Sequence, residues 1–76
     1  MGTRRGLYAR RILARNVFRL RKARAMNQEE LADAAHLTQP QISEIEGAKV
    51  NIRLDVLQSL AAGLGVRLAE LFEEGR

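Results

Sequence analysis

The chain has 76 residues, enough for one small domain. A single core of that size contributes only a few kcal/mol, so close helix packing or oligomerisation is expected to assist it. Cysteine is absent, which excludes disulfides and thiolate metal sites, and one histidine is too few for the usual zinc sites. No apolar run approaches the ~20 residues needed to span a membrane, and no signal-peptide core is present, so a cytoplasmic location is expected.

The net charge of +4 conceals an asymmetry. Residues 1–25 hold nine Arg or Lys and no acid, whereas the other four basic residues and all nine acids follow Gln28. A chain divided in this way suits a polyanionic partner on one side only. A solvated, Arg-rich helix is the plainer reading of the same pattern.

Residues 1–7 are rich in Gly and Arg and have no periodicity, which predicts a flexible basic arm ahead of a domain over 8–76. Arg4 and Arg5 suit phosphate or minor-groove contacts, though a tail without fixed contacts fits equally well. Residues 8–25 predict a first helix with an apolar stripe of Leu13, Val17, Leu20 and Ala23. Arg10, Arg11, Arg15, Arg19 and Lys22 lie mostly off that stripe. A basic amphipathic helix also suits a membrane surface, but here the stripe is needed for the core, and no membrane partner is expected. Met26 reads as a core plug.

The segment 28–47, QEELADAAHLTQPQISEIEG, predicts two short helices joined by a tight corner. Leu31, Ala32 and Ala35 share one face of the first, and Ile42 and Ile45 share one face of the second. Asn27 can cap the first helix, with Glu29 and Glu30 in its first turn, where the dipole favours negative charge. No nucleophile or metal-ligand cluster accompanies these acids, so they read as helix-end charges and the chain does not read as an enzyme. Thr38 is a good N-cap, Gln41 completes a capping box, and Pro40 falls in the first turn, where its missing N–H costs little.

This segment resembles the helix-turn-helix of the Xre family, the lambda-repressor-like DNA-binding domains. The resemblance rests on Gln28 opening the first helix, small Ala32 at the helix crossing, Leu37 in the turn, Ile42 and Ile45 anchoring the second helix, and Glu46 after them. It extends from about Val17 to Phe72 and implies an all-α, five-helix fold. It also implies an ion pair between Arg21 and Glu46, of the kind that fixes geometry more than it adds stability. The sequence departs from the family at the turn, where His36 replaces Gly at a position that the resemblance implies has φ > 0, which His tolerates better than most residues. Further departures are Ala48 two residues after Glu46, where Gly is common, and Ile52 and Arg53, where Pro and Ser are common.

In such proteins the N-terminal part of the second helix meets base edges in the major groove. Gln39, Pro40, Ser43 and Glu44 are therefore the expected base contacts. Gln39 suits adenine N6 and N7, and the ring of Pro40 suits a thymine methyl. Glu44 either accepts from cytosine N4 or pairs with a nearby Lys or Arg. Gln28, Gln41, Lys49, Asn51 and Arg53 are the expected phosphate contacts.

Leu54, Leu57, Leu60, Ala61 and Leu64 mark a fourth helix, weakened by Gly63 and stopped by Gly65. Residues 67–74 predict a short fifth helix. Its Leu68, Leu71 and Phe72, with Leu64 and Val66 nearby, are expected to form a homodimer interface. The alternative is that they fill the core of the monomer.

The resemblance implies a small bacterial or phage regulator that binds double-stranded DNA as a homodimer on a palindromic operator, without a cofactor or metal. Phage repressors, restriction–modification controller proteins and antitoxins share this pattern. Asn51 and Ile52 lean toward controller proteins. In the antitoxin alternative a toxin protein is the main partner and the operon is autoregulated.

Overall fold

The computed structural model describes the backbone of residues 2–74 and the side chains of residues 7–74. Among these residues there are four α-helices and no strand: α1 (Gly2–Ala23), α2 (Gln28–Ala35), α3 (Gln39–Glu46) and α4 (Leu54–Leu64). The predicted fifth helix is a single 3-10 turn, Leu68–Phe72, so the five-helix expectation is corrected to four helices and a turn. The reason lies in α1. Buried Asn16 donates through Nδ2 to the carbonyls of Leu71 (2.9 Å) and Glu73 (2.7 Å), so side-chain bonds hold the chain end here. So short a segment does not sustain an α-helix alone, and 3-10 geometry serves for one turn.

The first helix begins at Gly2 and not at residue 8, so backbone placed in a flexible arm is helical. No proline interrupts the segment, arginine is a good helix former, and extending an existing helix costs far less than nucleating one. Tyr8 ties this region to the chain end, its hydroxyl donating to Glu74 Oε2 at 2.8 Å. That bond to a carboxylate raises the phenol above its ordinary pKa. The expected contacts of Arg4 and Arg5 lie outside the described side chains.

The core forms where the apolar faces meet. Leu13, Val17 and Leu20 of α1 pack with Leu31, Ala32 and Ala35 of α2 and with Ile42 and Ile45 of α3. Leu57, Leu60, Ala61 and Leu64 of α4 and Leu71 complete it, and Met26 and Leu37 plug its edges. One expectation fails, because Ala23 is exposed and not part of the buried stripe; Leu54 opens α4 as expected and is itself 79% exposed. Gly63 does more than weaken its helix. A Cβ there would lie 2.8–2.9 Å from the Cβ, Cα and N of Ala35, so α2 and α4 cross at this glycine.

Capping follows the local chemistry. Asn27 accepts from the Glu30 amide, and Thr38 accepts from the Gln41 amide. In each case the third residue reaches back to the cap amide, at 2.8 Å. Arg53, in the place of the family's Ser, gives α4 no side-chain cap.

Candidate nucleic-acid interface

The two helices of 28–47 meet at His36, whose φ of 58° turns the chain while Leu37 N–H bonds back to Ala32 O at 2.8 Å. Ile42 and Ile45 face inward, which leaves Gln39, Pro40, Ser43 and Glu44 exposed together on the outer side of α3. Among the described residues Glu44 makes no ion pair, so the Lys or Arg partner of one of its two alternative readings is not in place.

Beneath this surface a chain of polar bonds runs from the interior to the first residue of α3. Arg21 donates through Nε to Glu46 Oε2 at 2.6 Å and through Nη2 to Glu46 Oε1 at 2.9 Å. Both side chains are only 8% exposed. The hydrogen bond to Glu46 holds the Arg21 guanidinium above its ordinary pKa, against the opposing effect of burial. A third donor, Nη1, reaches Met26 O at 2.9 Å and ties in the α1–α2 turn. Gln28 then donates to Glu46 Oε1 at 3.1 Å and accepts from Gln39 Nε2 at 2.6 Å.

This arrangement orients Gln39. One of its two N–H groups is committed to Gln28, which leaves one N–H and the carbonyl oxygen of this exposed residue available to an outside partner. A donor beside an acceptor is the pair that adenine N7 and N6 require. Gln28, expected to hold phosphate, spends its oxygen and one N–H supporting Gln39 and Glu46. Gln41 likewise gives its oxygen to the cap of α3. Each retains N–H capacity for an outside acceptor.

After α3 the chain turns at Ala48, whose φ is 57°, in the place of the family's usual glycine. Lys49, Asn51 and Arg53 are exposed on the loop that follows. Arg53 lies 3.5 Å from Asp55, both exposed, a weak pair of the surface kind. Asn51 accepts from Arg10 Nη2 at 2.7 Å, a bond from α1 that sequence reasoning missed. The Gln28–Gln39 bond was missed as well, although two amides flanking a helix-turn-helix corner are a signal for it.

Of the five residues expected at a dimer interface, two are core residues. Leu64 is 1% exposed and Leu71 0%, because α4 packs on α2 and the 3-10 turn packs on α1 and α4. Val66 packs against the core from its edge. Leu68 and Phe72 remain exposed, at 46% and 39%.

A helix-turn-helix family model, HTH_3, matches residues 17–71. The chain belongs to this helix-turn-helix family. Relatives that it matches include a transcriptional regulator and a control protein. Control protein C.MunI of a Mycoplasma species is 39% identical over 57 residues, which span 74% of this chain and 77% of that one. The HTH-type transcriptional regulator DdrOP3 of Deinococcus deserti is 35% identical over 54 residues. That match covers 71% of this chain but only 42% of the regulator. Among solved structures, the restriction–modification controller protein C.AhdI of Aeromonas hydrophila superposes with a TM-score of 0.80 at 27% identity. The superposition covers 83% of this chain and 96% of that one. No helix among the described residues is long and apolar enough to cross a membrane.

Proposed function

We propose that this protein is a transcriptional regulator that reads duplex DNA through α3 and binds a palindromic operator as a homodimer. The observation that carries the reading is the bond from Gln39 to Gln28. It presents an oriented donor–acceptor pair at the start of an exposed helix, braced by Arg21–Glu46. Pro40, Ser43 and Glu44 complete the base-reading surface. Lys49, Asn51 and Arg53, with the free N–H groups of Gln28 and Gln41, hold phosphates and set the register. Similarity to two control proteins, one of them a restriction–modification controller, favours a role in controlling a restriction–modification system.

Selection of bound sequences from a random DNA pool tests this reading, followed by titration of the recovered site with Gln39→Ala. The substitution is expected to cost roughly 1–3 kcal/mol and to relax preference at one base pair per half-site. Equal losses on recovered and scrambled DNA would show that Gln39 does not read a base.

A further inference from the structure

The helix-turn-helix is itself an acidic element. Residues 28–47 contain Glu29, Glu30, Asp33, Glu44 and Glu46 and no Lys or Arg. Only Glu46 is neutralised by a described ion pair, with Arg21 of α1. Duplex DNA carries one negative charge per ~1.7 Å of its axis. A surface of that sign repels it, so the attraction has to come from elsewhere on the molecule. The loop after α3 offers Lys49 and the partly neutralised Arg53. The remaining positive charge is concentrated on α1.

Two bonds set α1 alongside the DNA-reading elements. Near one end Arg10 bonds Asn51 of the loop, and near the other Arg21 bonds Glu46 of α3. Arg10, Val17 and Arg21 fall on one helical stripe, seven and then four residues apart, and this stripe docks against α3 and its loop. The stripe one residue further on, about 100° around the helix, contains Arg11, Arg15, Phe18 and Lys22. Arg19 adjoins it. All five are exposed, and none of the four basic residues joins an ion pair among the described residues. The Phe18 ring lies under the Lys22 ammonium, 5.7 Å from ring centre to nitrogen, and supports its outward position. From Arg11 to Lys22 the stripe runs about 16 Å, long enough to follow several phosphates.

We propose that this face of α1, with Arg11, Arg15, Arg19 and Lys22, is a second DNA-contacting surface. It grips the phosphate backbone flanking the segment read by α3 and supplies the attraction that the helix-turn-helix lacks. The inference rests on the proposed DNA-binding function.

The test compares wild type with the triple variant Arg11→Gln, Arg15→Gln, Arg19→Gln, and with Arg67→Gln, an exposed residue just before the 3-10 turn and outside α1, as a control for net charge. Glutamine keeps a helix-favouring side chain, and thermal melting by circular dichroism verifies that each variant folds. Affinity for a recovered operator and for random duplex is measured across a salt series. Each lost phosphate contact lowers the slope of log affinity against log salt by about 0.9, so a fall of about 2–3 is expected in the triple variant. Affinity should fall about tenfold or more on both DNAs, with their ratio preserved, because phosphate contacts carry no sequence information. Arg67→Gln should keep the wild-type slope. An unchanged slope in the folded triple variant, or an equal loss per charge in Arg67→Gln, overturns the α1 surface while leaving DNA binding intact. A wild type with no salt-dependent affinity for any duplex defeats the DNA-binding function itself, and the α1 surface with it.

Discussion

Each of the four helices is followed within two residues by one in the left-handed region: Ala25 at φ 55°, His36 at 58°, Ala48 at 57° and Gly65 at 70°. At each end an amide reaches back five residues, as Met26 to Arg21, Leu37 to Ala32, Lys49 to Glu44 and Val66 to Ala61. Orphan carbonyls are thereby satisfied, but only Gly65 adopts this conformation without a Cβ penalty. For alanine the penalty is roughly 1–2 kcal/mol, while glycine loses roughly 0.4–1 kcal/mol more in unfolded-state entropy. The first effect exceeds the second. Ala48→Gly is therefore expected to stabilise the protein by about 0.5–1 kcal/mol, a rise in melting temperature of roughly 2–8 °C for a domain of this size. A melting curve at or below that of wild type would mean that Ala48 carries no such strain.

Between elements, the crossing of α2 and α4 shows packing overriding propensity. Glycine inside a helix costs up to about 1 kcal/mol relative to alanine, so propensity alone favours Gly63→Ala. The added methyl, however, would meet the Cα and N of Ala35 at 2.9 Å. Backbone atoms in a packed helix cannot swing aside as the end of a long side chain can. Overpacking of this kind costs typically 1–3 kcal/mol, so Gly63→Ala should lower the melting temperature. Chemical denaturation of the variant measures the balance directly, and a gain in stability would show that the two helices have room to separate. Buried Asn16 works at the same scale, anchoring the 3-10 turn through two carbonyls so that Leu71 enters the core.

For the whole molecule, the question is what covers Leu68 and Phe72. With Leu64 and Leu71 inside, the apolar surface left near the chain end is smaller than the sequence suggested. It remains the proposed two-fold contact, a self-complementary patch that would set two recognition helices about 34 Å apart, one turn of DNA. Sedimentation equilibrium over a range of protein concentrations is expected to show a dimer for wild type. Leu68→Glu should give a monomer of unchanged helicity, because the side chain is already half exposed. A wild type that stays monomeric throughout, and binds one half-site as tightly as a palindrome, would rule out the dimer.

The sequence by itself determined whatever depends on near neighbours along the chain. The Thr38–Gln41 box, the Asn27 cap and the inward faces of Leu31, Ile42 and Ile45 follow from residues at most four apart, because helix geometry brings such residues together. The Arg21–Glu46 pair, 25 residues apart, was accessible only through family resemblance, which carries three-dimensional information that periodicity lacks. The tertiary structure alone decided what depends on distant partners. Asn16 meets carbonyls 55 and 57 residues away, Arg10 meets Asn51, Gln39 meets Gln28, and Gly63 meets Ala35. The division of the C-terminal hydrophobics belongs to the same class. Leu64, Leu68, Leu71 and Phe72 are equally apolar, and the choice of which are buried is made by the surfaces of α1 and α2, which no local pattern in residues 64–72 encodes.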